Sequence, residues 1–80
     1  MNGELYIKDE GVMVFESDNV FLKFVVSKQL TSIHKIISHD NGYIVIETNY
    51  GEEYVDLNAV ADEIGLQIDF SNFNPVLRNE

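Results

Sequence analysis

The sequence contains no cysteine, and it has only five lysines and arginines against fourteen aspartates and glutamates. Without cysteine there are no disulfides, no thiolate catalysis and no cysteine-based zinc sites. Small secreted domains usually depend on disulfides, so this composition favours the cytoplasm. Met1 is followed by Asn-Gly-Glu rather than by a basic and then an apolar stretch. We therefore expect no signal peptide and a cytoplasmic location.

Long apolar runs are also missing. No uninterrupted apolar run exceeds four residues, so we expect no membrane-spanning segment. The hydrophobic fraction is nevertheless 45%, which is ordinary for a folded protein and too high for a chain kept disordered by its charge. The length of 80 residues corresponds to one domain, and we interpret 1–80 as a single acidic, β-rich domain.

The charges are segregated along the chain. From Val20 to His39 there are three lysines, both histidines and no acid. From Asp40 to Leu77 there are eight carboxylates and neither lysine nor arginine. With a formal net charge of −9, such a field repels nucleic acid and anionic membranes and attracts basic protein surfaces.

Turn signals recur every eight to twelve residues, with β-branched and aromatic runs between them, which is typical of an antiparallel β domain. We predict an α+β fold, in which a small antiparallel β meander of five to seven strands carries one short helix in the C-terminal half, packed on the sheet. The predicted strands are 4–8, 12–16, 20–26, 31–39, 43–48, 52–55 and, as a less regular last strand, 66–70.

Three segments decide the details. Residues 27–39 fit either a helix or a strand, but the Asn41-Gly42 pair that follows Asp40 is a strong hairpin signal and favours a strand over 31–39. The run 20–26 is nearly all apolar and predicts a central strand buried on both faces. Asp56 is expected to cap a helix over 57–64, which Gly65 ends. The tail, 71–80, either packs across the sheet or serves as a docking peptide.

No motif indicates catalysis. His34 and His39 are five residues apart, which on a strand places them on opposite faces, so they cannot share a metal ion. Consecutive residues Ser38, His39 and Asp40 cannot converge as a catalytic triad. Asp40-Asn41-Gly42 is only a fragment of a calcium-binding loop. We therefore predict no enzyme activity, no metal and no cofactor.

Tyrosines interleave with the acids of the C-terminal half, where nucleic-acid binders would place lysine and arginine. Arginine can pair with carboxylates and stack on aromatic rings, so this pattern suits an arginine-rich protein groove. The alternative is a solvated acidic face whose tyrosines only shield the sheet. The predicted partner-binding residues are Asp40, Tyr43, Glu47, Tyr50, Glu52, Glu53, Tyr54, Asp62 and Glu63.

The sequence thus predicts a non-enzymatic protein that binds a basic surface of another protein and does not bind nucleic acid itself. The most concrete version occupies the nucleic-acid-binding groove of a nuclease complex, as phage-borne inhibitors of host defence do, including anti-CRISPR proteins that mimic nucleic acid. One alternative is an immunity protein or antitoxin that neutralises a basic toxin. Another is an assembly protein that pairs with a second copy through an exposed edge strand.

Overall fold

The computed structural model describes residues 1–78 and shows seven strands and one short helix in that range. This confirms the α+β prediction. The elements are β1 (Asn2–Asp9), β2 (Val12–Glu16), β3 (Phe21–Val25), β4 (Ile33–Asp40), β5 (Tyr43–Thr48), β6 (Gly51–Asp56), α1 (Leu57–Glu63) and β7 (Asn74–Leu77).

The strands form two sheets rather than one continuous meander. The first sheet has the order β3-β2-β1-β7, and the second has the order β4-β5-β6. All pairs are antiparallel except β1 and β7, which run parallel. In the part of the chain that the structure describes, no helix is long and apolar enough to cross a membrane.

The core lies between the inner faces of the two sheets, with Leu5, Met13 and Leu22 from the first and Ile44 and Ile46 from the second all fully buried. A cluster of three phenylalanines closes it: the ring centroid of Phe73 lies 5.4 Å from that of Phe15 and 5.4 Å from that of Phe70.

Gly3 makes room for this cluster. A Cβ atom at Gly3 would overlap the ring of Phe15. The glycine on β1 therefore lets the ring lie directly against the backbone, a role that no other residue type can take without displacing it.

The predicted hairpin turn between β4 and β5 has type I′ geometry, since Asn41 and Gly42 both have positive φ (47° and 93°) and Asp40 pairs with Tyr43. This turn also contacts α1. The backbone N–H of Leu57 donates to the carbonyl of Gly42 (2.9 Å), and the side-chain amide of Asn58 donates to the carbonyl of Asn41 (2.9 Å). The hairpin and the helix are thereby fixed to one another.

Both ends of α1 are capped as the sequence predicts. The carboxylate of Asp56 accepts hydrogen bonds from the backbone N–H groups of Asn58 (3.0 Å) and Ala59 (3.2 Å). At the other end Gly65 has φ 74°, and the N–H of Leu66 donates to the carbonyl of Ala61 (2.9 Å). This Schellman arrangement satisfies carbonyls that the helix leaves unpaired.

Part of the predicted tail forms β7 and joins the edge of the first sheet instead of packing across it. β7 pairs with β1, and Pro75 is buried. The guanidinium of Arg78 lies 3.9 Å from the ring centroid of Tyr6 and donates to Glu4 (2.9 Å) and Glu16 (3.2 Å). The remainder of the predicted tail, 79–80, lies outside the described residues.

Local contacts shift the pKa values of three side chains. Burial, followed by the hydrogen bond to Glu16, raises the pKa of the Tyr6 hydroxyl, and the hydrogen bond with Glu4 raises the pKa of Arg78. In the loop before β7, the N–H of Ser71 donates to Asp69 (2.8 Å) and lowers the pKa of that carboxyl.

Three predictions about strand position, strand content and the end of the helix are wrong. The apolar run 20–26 is not a central strand: β3 is at the edge of its sheet, and the side chain of Val25 is 82% exposed. Residues 66–70 do not form a strand. The predicted helix 57–64 ends one residue earlier, at Glu63, and Ile64 is its C-cap, with a side chain that is 57% exposed.

The two isoleucines provide a matched test of this core. We expect Ile46→Ala, which removes a fully buried side chain, to lower the free energy of unfolding by about 2–5 kcal/mol. Ile64→Ala should change it by no more than about 0.5 kcal/mol, because the side chain is exposed. Urea denaturation measures both, and equal losses would show that the core is wrongly located.

Gly42 and Gly51, at the two hairpin turns of the second sheet, provide a second matched pair of substitutions. Gly51 has φ 90° and open space around it, so Gly51→Ala should cost about 1–2 kcal/mol from the backbone conformation alone. A Cβ at Gly42 (φ 93°) would also approach the Phe70 ring and the Asn58 amide to 2.8 Å. Gly42→Ala should therefore lower the denaturation midpoint further than Gly51→Ala. The reverse order would mean that the hairpin turn does not contact α1 and Phe70.

Candidate protein-binding face

The register of the second sheet separates core residues from surface residues. Ile44 pairs with Val55 and Ile46 with Glu53, and these positions point to the inner side. The alternate pairs, Tyr43 with Asp56, Val45 with Tyr54 and Glu47 with Glu52, point to the other side. Asp40 pairs with Tyr43 and lies on that side as well. We call the surface formed by Asp40, Tyr43, Glu47, Glu52 and Tyr54 the outer face.

Two tyrosines form the centre of the outer face. The rings of Tyr43 and Tyr54 are stacked, with centroids 6.2 Å apart and an interplanar angle of 18°. Tyr54 is 65% exposed and Tyr43 is 42% exposed, so the pair presents aromatic surface to solvent. Stacking restricts both side chains before any partner arrives, which lowers the entropy lost on binding.

The carboxylates around the tyrosines are only partly balanced. Glu47 lies 3.6 Å from Nδ1 of His34 and pairs across the strands with Lys35. Glu52 lies opposite Glu47, an arrangement of like charges that destabilises a sheet. Asp40, at the hairpin turn, is exposed. The outer face therefore carries a net negative charge that folding alone does not favour.

The remaining predicted binding residues lie elsewhere. Glu53 points to the inner side and accepts a hydrogen bond from Nζ of Lys28 (2.6 Å), which also lies 5.9 Å from the ring centroid of Tyr50. Asp62 and Glu63 belong to α1, and Glu63 lines a groove between the helix and β3. The nine predicted residues thus do not form one surface, and five of them make up the outer face.

The histidines and the acids form no metal site among the described residues. His34 lies beside Glu47 on the outer side, whereas the ring of His39 lies on the inner side, 5.9 Å from that of Phe73. Ser38 and Asp40 pair with outward-facing positions on β5 while His39 pairs with Ile44. The three residues therefore do not converge, in agreement with the rejection of a triad.

Sequence reasoning missed the contribution of β4 to this face. The β4–β5 register shifts between Ile33 and Lys35 and again between Ile36 and Ser38. These bulges bring His34 and Lys35 together beside Glu47 and leave Ile37 exposed. No turn residue or break in hydrophobic pattern marks either bulge in the sequence.

Comparisons with known proteins give one result that concerns the whole domain. Neither the curated proteins nor the solved structures contain a match to this chain. A family model does match it, over residues 4–79, and so covers every strand and the helix except the first residues of β1. The chain belongs to the family described as Domain of unknown function (DUF7724).

Proposed function

We propose that this protein is a non-enzymatic binding module that docks its outer face on a basic groove of a partner protein. The observation that carries the proposal is the exposed stack of Tyr43 and Tyr54 among the carboxylates of Asp40, Glu47 and Glu52. Tyrosine is among the residues that contribute most to protein interfaces, and here two stacked tyrosines lie exposed on a charged surface.

Arginine is the partner side chain that fits this chemistry best. Its guanidinium is planar, so it can stack on a tyrosine ring and donate two parallel hydrogen bonds to a carboxylate. The same combination occurs within this molecule, where Arg78 stacks on Tyr6 and donates to Glu4 and Glu16. An arginine of a partner would meet an equivalent ring and carboxylate at Tyr54 and Glu52.

The partner class that this surface favours is a protein with a nucleic-acid-binding groove, including the nucleases of defence systems. Such grooves carry arginine and lysine to neutralise phosphates, and the carboxylates of Asp40, Glu47 and Glu52, on three neighbouring strands, can neutralise the same cations. A toxin with a basic active site is the second candidate, since its groove has the same charge. A competition experiment distinguishes binding to such a groove from direct binding of nucleic acid. Nucleic acid should displace the protein from its partner and should not bind the protein itself.

Two charge-reversal variants with equal net charge test this proposal. The first carries Asp40→Lys, Glu47→Lys and Glu52→Lys on the outer face. The second carries Asp9→Lys, Glu10→Lys and Asp18→Lys, three exposed acids in the turns of the first sheet. The partner is first identified with a photo-crosslinking amino acid at position 54, with the same group at exposed Val76 on the first sheet as the control.

We expect the outer-face variant to bind the captured partner at least about tenfold more weakly than the turn variant, since desolvated charge pairs contribute about 1.5 kcal/mol or more each. Binding by the unmodified protein should also weaken as salt increases, because salt screens opposed charges. Titration calorimetry measures both effects. Equal weakening in the two variants would show that only net charge matters and would remove the outer face from the proposal.

A further inference from the structure

β3 has an open edge beside an apolar groove, and neither belongs to the outer face. Within the described residues β3 pairs only with β2, at the end of the order β3-β2-β1-β7. Next to it, a groove of about 540 Å³ lies between β3 and α1. The groove is lined by Val12, Lys23, Phe24, Val25, Ala59, Val60, Glu63 and Ile64.

The hydrogen-bond pattern shows which backbone groups this edge presents. The N–H of Ser17 donates to the carbonyl of Val20, and the N–H of Val26 donates to the carbonyl of Gly11. In an antiparallel pair, hydrogen-bonded residues alternate with residues whose backbone groups point away. With this register, Phe21, Lys23 and Val25 direct their N–H and C=O groups away from β2, toward the open edge.

The side chains along the edge are unusually apolar for a strand in this position. Natural edge strands are protected by charges, prolines or bulges. β3 has one exposed lysine, Lys23, but its neighbours Phe21 and Val25 are 57% and 82% exposed. Across the groove, Ile64 is also exposed. Backbone groups and apolar side chains are thus available together along a strand of about 17 Å, at 3.4 Å per residue.

From these observations we infer that β3 accepts an extended segment of a partner protein as an additional antiparallel strand. An added strand satisfies the open backbone groups, and its alternate side chains enter the groove between β3 and α1. The groove is lined mainly by apolar side chains, with Lys23 and Glu63 as its charged residues, so valine, isoleucine or leucine on the added strand would fit it best.

The charge of the chain as a whole favours a basic segment. At the groove itself Lys23 offsets Glu63, and in the continuation toward β6, where Lys28 is already paired with Glu53, Asp56 adds a further acid. The whole chain carries −9. A second copy of this chain would bring the same charge to the edge, so repulsion disfavours self-pairing. The added strand is therefore a segment of a different protein, in which apolar and polar residues alternate and lysine or arginine stands at each end.

A synthetic peptide tests this inference without knowledge of the partner. In the probe, valine alternates with threonine, a lysine stands at each end, and both termini are blocked. Amide hydrogen exchange, followed by NMR on the full chain, reports on the edge directly. In the free protein the amides of Phe21, Lys23 and Val25 should exchange rapidly, while those of Leu22 and Phe24 are protected by β2. Saturating peptide should slow exchange of the first three.

Two matched controls separate strand addition from general adhesion. A peptide with the same side chains but N-methyl groups on alternate residues lacks the donors that face β3, and it should bind about tenfold more weakly or worse. On the protein, Lys23→Pro removes an N–H that points to the open edge, a position where an edge strand tolerates proline, and should also abolish binding. Lys23→Ala, with its N–H retained, should bind the peptide like the unmodified chain.

Three results would overturn the inference. One is peptide binding that leaves the amides of Phe21, Lys23 and Val25 unprotected. Another is equal affinity for the N-methylated peptide. The third is protection of these amides without any peptide, together with a dimer in sedimentation equilibrium, because the occupant would then be a second copy of this chain. None of these results depends on the outer face, so the inference and the proposed function fail separately.

Discussion

The register of β5 is the constraint on which both the core and the surface of this protein depend. Ile44 and Ile46 point inward and Tyr43 and Glu47 point outward only because the strand is paired in one register. A slip of one residue would expose the isoleucines and bury Tyr43 and Glu47. The type I′ turn at Asn41 and Gly42 sets this register, and its contacts with α1 hold the turn in place. A local pair of turn residues thus determines a sheet-wide property.

The first sheet joins the two ends of the described chain, whereas the second sheet carries the exposed acids and tyrosines. The first sheet holds the chain together: its parallel pair of β1 and β7 joins the two ends of the described chain, and Arg78 ties β7 to Tyr6, Glu4 and Glu16. The phenylalanine cluster then closes the space between the sheets. The second sheet can therefore carry unpaired acids and exposed tyrosines, because its outer face contributes little to the core.

Features encoded by a few adjacent residues could be predicted from the sequence. The hairpin turn, the Asp56 cap and the Gly65 terminus each follow from local backbone chemistry, and β2 and β5 have the predicted bounds. The position of a strand within a sheet is not local. An apolar run on both faces suggested a central strand, but the same pattern marks β3 as an uncovered edge. The parallel pairing of β7, with Pro75 in it, depends on Gly3 and Phe15, far away in sequence.

The candidate site was half predictable for a similar reason. Glu52 and Glu53 are adjacent and must point to opposite sides of β6, so the sequence could have separated them. That Glu53 then pairs with Lys28, which precedes β4 and lies 25 residues earlier in the chain, could not be predicted, nor could the bulges that bring His34 and Lys35 to Glu47. What remains on the outer face is smaller than the predicted surface and more concentrated: two stacked rings and the carboxylates of Asp40, Glu47 and Glu52.

The most direct test of the central claim maps the contact on the protein itself. Once the partner is identified, the ring signals of Tyr43 and Tyr54 can be followed by NMR in the free protein and in the complex, with a soluble paramagnetic agent present. Both exposed rings should become shielded from the agent, while exposed Val76 on the first sheet stays as accessible as before. Rings that remain accessible in a fully formed complex would show that the outer face is a solvated surface and not the binding site.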